Sequence, residues 1–334
     1  MLPGEVLVMR RIKLILQMLA AFVIAVSAYN IFYEPYQDSV RAAVKQGLPQ
    51  ILQTQSEKVN VNSVPEGKLR ITVLDIGQGD AILLQDGKRN VLIDVGDNRK
   101  DDFGSGGRAA LEKALAKAGV GADGSIETVI VTHYHGDHMG NIKWLAGKYK
   151  VKNIYDNAMP NEKNQIAVWL NRELRAGHYH NRVLKAGDTV QLGKNYYLEV
   201  LAPGDFLNAK TLKNLNNTSL VMKMHYGTFT MLFTGDAEAP VEDALQQKYG
   251  DRLRADVLKV GHHGSRTSSI YKFISKVKAK YALISCGNFA VYHHPNKNVV
   301  GSLQHLGARV FTTFDLGNLT VVKDGKNFSV STEK

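Results

Sequence analysis

The chain has 334 residues, of which 44% are hydrophobic, and 42 Lys and Arg against 31 Asp and Glu give it a formal net charge of +11. It is long enough to bury a full core as one large domain or two small ones. Its single cysteine, Cys286, excludes an intrachain disulfide and a Cys-rich zinc site. The basic excess suits polyanions such as nucleic acid, wall polymers or an anionic membrane face, although a basic surface also serves solubility alone.

Arg10, Arg11 and Lys13 precede an apolar stretch over residues 14–33, broken only by Gln17, Ser27 and Asn30. Twenty helical residues reach about 30 Å, enough to span a bilayer. The segment reads equally as a removable signal peptide, with Val26, Ser27 and Ala28 at the cleavage site. Either way the charges favour the bulk of the chain outside the membrane. Residues 34–68 are polar, broken by Pro35, Pro49 and Pro65, and read as a linker. A hydrolase-sized domain then fills residues 69–334.

Within it, strands are expected over 69–74, 81–84 and 90–93, the last two joined across Asp86 and Gly87. A helix over 107–118 leads to the apolar run 129–131, followed by helices near 141–149 and 165–176. Strands recur near 197–201, 219–225 and 228–233. A helix over 239–249, strands at 257–260 and 282–285, and late strands near 310–313 and 317–322 complete the pattern. Cys286 ends one apolar run and reads as a small core hydrophobe. Strands interleaved with a few helices imply two mixed sheets with helices outside.

The most informative segment is Thr128-Val-Ile-Val-Thr-His133-Tyr-His135-Gly-Asp137-His138. A buried strand ends at Thr132, so the ligand-rich part lies on the loop beyond it. In an extended segment residues i and i+2 point the same way. His133 and His135 therefore suit one ion, while Asp137 and His138 are free to turn toward a second. Imidazole and carboxylate suit zinc, and also manganese or iron. Phe233-Thr-Gly-Asp236 places another carboxylate after a strand, and one carboxylate bridges two ions about 3.5–4 Å apart. The segment from Val257 to Ser265 repeats the arrangement with His262 and His263 between glycines. Together these motifs form a dinuclear constellation in which bound water becomes a nucleophile toward phosphorus or carbonyl carbon.

His-x-His-x-Asp-His followed by Thr-Gly-Asp resembles the metallo-β-lactamase superfamily. The match is closer to one branch, through Asp75-Ile-Gly-Gln-Gly-Asp80, Leu92-Ile-Asp-Val-Gly96, Asn217-Thr-Ser-Leu-Val221, the His262 to Ser269 segment and Tyr292-His-His-Pro295. That set resembles the hydrolase domain of ComEC-type DNA-uptake competence proteins, from about Leu69 to the C-terminus. The resemblance implies an α+β fold, a four-layer αβ/βα sandwich, here preceded by an N-terminal hydrophobic helix. It implies two divalent ions, Zn or Mn. His133 and His135 would hold the first; Asp137, His138 and His263 the second; Asp236 would stand between. His262 and His294 would face substrate and, with Asp137, carry the reaction. Asp94 would orient the metal loop, and Asp75 and Asp80 would shape the loop beside it. Arg266, Ser265 and Asn217 are expected to bind substrate. The chain reads as a stand-alone exported version without the multi-span channel of full-length members.

One departure is visible. Many superfamily enzymes supply a further histidine to the first ion from mid-chain, where this sequence has Asn216-Asn-Thr-Ser219. The first ion is therefore expected to bind weakly or with substrate, which makes manganese more acceptable. His225 reads as structural, and His178 and His180 as solvent-exposed.

The leading functional expectation is an exported nuclease acting on extracellular DNA, its partner being nucleic acid or another phosphodiester polymer. The alternative is a cell-surface phosphorylcholine esterase, which needs an aromatic cage from residues such as Tyr292, Tyr179 or Trp169. A binding protein with a decayed site is disfavoured by the intact Asp137 and Asp236.

Overall fold

A computed structural model describes residues 67–334, apart from 88, 100–106, 122–123, 160, 288–292 and 326. The expected hydrophobic helix, its cleavage site and nearly all of the linker lie outside the described residues. Among the described residues no helix is long and apolar enough to cross a membrane.

Two sheets carry the fold. The first runs β15-β14-β1-β2-β3-β4-β5-β6 and the second β13-β12-β11-β10-β9-β8-β7. In chain order the first contributes β1 (Lys68–Val73), β2 (Ile82–Asp86), β3 (Arg89–Ile93), β4 (Ser125–Ile130), β5 (Lys150–Asp156) and β6 (His180–Val183). The second follows with β7 (Thr189–Gln191), β8 (Tyr196–Ala202), β9 (Val221–Tyr226), β10 (Phe229–Phe233), β11 (Val257–Lys259), β12 (Tyr281–Ile284) and β13 (Arg309–Thr312). The chain then returns to the first sheet through β14 (Leu319–Asp324) and β15 (Asn327–Thr332).

Alternation along the strands separates the layers. Ile82 and Leu84 of β2 face the second sheet and pack with Leu198, Met222, Met231 and Phe311. Leu83 and its neighbours face helices α1 (Gly107–Lys117), α2 (Gly136–Met139), α3 (Ile142–Lys148) and α4 (Gln165–Arg175), through Leu111, Leu145 and Leu170. The second sheet turns Leu232, Leu258 and Ala282 outward onto α5 (Ala239–Tyr249), α6 (Tyr271–Val277) and α7 (Lys297–His305). A short α8 (Thr313–Leu316) follows β13. The order helix, sheet, sheet, helix is the expected αβ/βα sandwich. Cys286 is buried in the outer core of the second sheet, where burial pushes its thiol up to about 12.

The topology gathers the chemistry at one edge. β3, β4, β5 and β6 are parallel, as are β10, β11, β12 and β13. Loops leaving the carboxyl ends of parallel strands share one side of a sheet, the usual place for a site in such layers. Asp94 follows β3, His133 follows β4, Asp236 follows β10 and His263 follows β11.

Candidate metal centre

The loop after β4 turns at once into α2, a single helical turn, so its ligands are held between a buried strand and a short helix. His133 and His138 are fully buried and Asp236 is 1% exposed. Four ligand atoms, from Asp137, His138, Asp236 and His263, lie within 4.8 Å of one another. Asp236 Oδ2 is the centre of the group. It stands 3.1 Å from His138 Nε2, 3.6 Å from His263 Nε2, 3.7 Å from His262 Nε2 and 3.9 Å from His133 Nε2.

Each of the three buried imidazoles is turned by a partner on its other nitrogen. Thr132 Oγ1 donates to Asp94 Oδ2 at 2.7 Å, which leaves its lone pair to accept from His133 Nδ1 at 3.2 Å. His138 Nδ1 donates to Asp94 Oδ2 at 2.8 Å, and His263 Nδ1 donates to the Ser285 carbonyl at 3.0 Å. All three therefore present Nε2 to the cluster, the arrangement that fixes a metal-binding tautomer. His138 Nε2 and Asp236 Oδ1 are buried without a hydrogen-bond partner, so the 3.1 Å contact between His138 and Asp236 is one of charge. A buried imidazole nitrogen without a hydrogen-bond partner, in a group of carboxylate and imidazole ligand atoms this close together, fits a divalent cation there.

His133 Nε2 and His135 Nδ1 lie 3.0 Å apart beside this group. The pair suits a second ion, with Asp236 as the shared ligand. No third imidazole from the 216–219 loop joins it. Asn216 donates to Glu238 Oε1, and Asn217 is 3% exposed.

Backbone strain marks the same place. Asp94, His262, His263 and His293 hold positive φ values of 59°, 47°, 54° and 54°, uncommon for residues with a Cβ and concentrated at functional sites. Gly79 (φ 124°) brings the β1–β2 loop against the metal loop, and a Cβ there would meet the Asp137 carbonyl oxygen at 2.4 Å.

Burial opposes charge on His138 and His263, yet the Asp236 carboxylate and its neighbours raise both, His263 to about 10. Burial also works against ionised Asp236 and Asp137, but the imidazoles, His138 foremost, hold both carboxyls below their usual range. Burial keeps His133 neutral, well below the ordinary imidazole range. In the metal-free chain His138 and His263 thus carry an extra proton at neutral pH. An incoming ion would displace these protons, so metal affinity is expected to fall as pH falls and both imidazoles hold them. Release of about two protons on filling the Asp137, His138, Asp236 and His263 site at pH 7 is expected, read by calorimetry in buffers of different ionisation enthalpy. Binding without proton release would contradict the assignment.

At the rim, His262 Nδ1 is 3.1 Å from Thr267 Oγ1 and 3.4 Å from Glu238 Oε1. His294 Nδ1 is 3.4 Å from Gln78 Nε2, and its ring centroid is 5.6 Å from that of His262. Burial lowers both imidazoles, His294 to about 3, so both are neutral at neutral pH.

The structure brings together His133, His135, Asp137, His138, Asp236, His262, His263, His294, Asp94 and Asp80. Three expected site residues lie differently. Asp75 lies with Lys113 and Lys117 of α1 and Glu333 along a groove of about 260 Å³, and it accepts from the Gly77 backbone within its own loop, on the side away from the ligands. Asn217 spends its side chain on the backbone, accepting from Glu238 N at 3.1 Å and donating to the Thr211 carbonyl at 3.3 Å. Ser265 is 5% exposed, with Oγ 3.0 Å from Thr267 Oγ1. Neither has a side chain left for a substrate. Arg266 is exposed directly after them. Trp169 and Tyr179 pack against the core between the first sheet and its helices, and Tyr292 lies outside the described residues.

His225 is structural, 3.0 Å from Glu199 and stacked on Tyr197, and His178 and His180 are exposed. Sequence reasoning missed Lys259, whose Nζ lies 2.9 Å from Asp80 Oδ2. A lysine between Leu258 and Val260 in an otherwise apolar strand was the available signal. It also missed Glu238, which accepts from Asn214 and Asn216 and steadies His262.

A model of the metallo-beta-lactamase superfamily matches residues 74–288. The chain is 31% identical over 265 residues to ComE operon protein 3 of Bacillus subtilis, covering 75% of this chain and 32% of that protein. It is 28% identical over 254 residues to competence protein ComA of Neisseria gonorrhoeae, covering 75% and 32%. It thus spans about a third of the length of these curated relatives. Among solved structures, the metallo-beta-lactamase fold protein YhfI of Bacillus subtilis superposes with a TM-score of 0.50 at 16% identity. The likeness covers 77% of this chain and all of that one, and is one of fold.

Proposed function

The chain belongs to the metallo-beta-lactamase superfamily, and from that premise we propose that it is a metal-dependent phosphodiesterase whose substrate is DNA, acting outside the membrane. The observation that carries the reading is the convergence of His133, His138 and His263 Nε2 on Asp236, with Asp137 beside them and His138 Nε2 buried without a hydrogen-bond partner. Divalent ions held there, Zn or Mn, would supply Lewis acidity and activate water. Asp236 and Asp137 bring the negative charge that retains them, and Asp94 fixes His138.

His262 is the side chain placed to exchange a proton with substrate. It is neutral, its side chain is 21% exposed, and Thr267 and Glu238 hold its Nδ1 side. A neutral imidazole at the rim suits general-base work near pH 7. Arg266, exposed after the His-His-Gly-Ser turn, is the proposed holder of a substrate phosphate. The choice of DNA rests on the net charge of +11 and on relatives named for competence. Basic residues tracking a phosphate backbone give salt-sensitive binding with little sequence preference. Residues 1–33 read as the export signal or anchor that would place the domain outside.

The phosphorylcholine alternative loses support, since Trp169 and Tyr179, both half-buried, pack against the core between the first sheet and its helices. Incubating the metal-loaded full chain with labelled single- and double-stranded DNA and with a phosphorylcholine ester separates the two. DNA cleavage that weakens as salt rises is the expected result. Phosphorylcholine release with DNA intact would overturn it.

A further inference from the structure

Inner strands rarely bury a lysine, because desolvating an ammonium is costly unless it is paired. β11 does so: Lys259 is fully buried on a strand flanked on both sides by parallel partners. Its Nζ stands 2.9 Å from Asp80 Oδ2 and donates to the Val260 carbonyl at 2.9 Å. The other oxygen, Asp80 Oδ1, faces His263 Nδ1 at 3.4 Å and is otherwise without a partner. The Asp80 backbone N donates to the Asp137 carbonyl at 3.1 Å, so the same residue touches two members of the cluster. Ser285 closes the unit, its Oγ donating to the Gly79 carbonyl at 2.6 Å while its own carbonyl accepts from His263 Nδ1.

A buried ion pair of this kind adds little net stability, and well-packed apolar replacements often cost nothing. Its value here is geometric. We infer that Lys259 is a positioning residue for the metal centre. By clamping one oxygen of Asp80 it turns the other toward His263 Nδ1 and fixes the loop under Asp137, so that both ligands are held for the ion. This rests on the reading that the Asp137, His138, Asp236 and His263 group binds metal.

The test is zinc titration of the metal-free full chain against a competing chelator, with thermal melts alongside. The proteins are wild type, Lys259→Met, Asp80→Asn and the double variant. Single variants are expected to bind zinc about 10–100-fold more weakly, the usual effect of removing a partner behind a metal ligand. The double variant, free of an unpaired buried charge, folds cooperatively and binds zinc no more weakly than Asp80→Asn, because both substitutions remove one shared contact. A merely structural lysine would lower the melting temperature and leave zinc affinity unchanged. Wild-type affinity in folded Lys259→Met or in the double variant overturns the inference, as do additive losses. Wild type that takes up no zinc overturns the metal reading itself, and the inference with it.

Discussion

Asp236→Ala is expected to lower the proposed phosphodiesterase activity by on the order of 10³-fold or more and to leave the chain unable to retain stoichiometric metal. The size of the effect follows from position. One carboxylate oxygen lies between 3.1 and 3.9 Å from the Nε2 atoms of His138, His263, His262 and His133. Removing it would take away the carboxylate placed to be shared between two ions and leave the imidazoles facing one another with nothing negative between them. Asp137 remains, but its side chain is 28% exposed at one border of the cluster and cannot fill the middle. Metal analysis of the purified variant beside turnover checks this. Unaltered metal content with unaltered turnover would remove Asp236 from the centre.

Asp94→Asn acts one layer further out and isolates the tautomer argument. Asp94 is fully buried and accepts from Thr132 N at 2.8 Å, from Thr132 Oγ1 at 2.7 Å and from His138 Nδ1 at 2.8 Å. Its φ of 59° favours asparagine over alanine as a replacement, since asparagine tolerates left-handed backbone. An amide that keeps its oxygen toward Thr132 N turns its NH₂ toward Thr132 Oγ1 and His138 Nδ1. His138 then holds its proton on Nε2, the nitrogen that faces the cluster. A drop of about 10–100-fold in metal affinity is expected. Asp94→Ala adds a folding cost of about 3–5 kcal/mol by leaving the buried histidine without its partner. Calorimetric titration separates the first effect from the second, which melts report. Metal affinity that survives Asp94→Asn would mean that His138 is oriented by packing alone.

Much of this centre was legible in the chain because its ligands follow apolar runs directly. The apolar run ending at Val131 dictates that His133 lies just past β4, and the same logic found Asp236 and His263. The helix at Ala239–Tyr249 and the strand pairs around it were equally plain. Other elements were hidden for physical reasons. β5 mixes lysines with a half-exposed burial pattern, β6 is wholly exposed at a sheet edge, and β15 is mostly exposed, so none shows a clean period of two. Helix α7 carries Gly301 within its span, which weakens its sequence signal.

The aspartates of one short loop show a different difficulty. Asp75 and Asp80 flank the same glycine-rich turn, and composition cannot say which faces the metal loop. The left-handed turn at Gly79 sends Asp80 inward and leaves Asp75 beside α1. Asn217 likewise has the right chemistry for a substrate contact, but only its neighbours in space reveal that its amide is already spent. Lys259 escaped because an apolar run was read as a whole, and its partner, Asp80, lies far away in the sequence.

The most direct test of metal-dependent phosphodiester hydrolysis is to strip the full chain of metal, restore manganese or zinc in measured amounts, and follow cleavage of labelled DNA. Cleavage that is absent without metal and grows with the metal bound is the expected outcome. DNA cut equally well by the stripped protein, or left intact while ions demonstrably occupy the site, would contradict it.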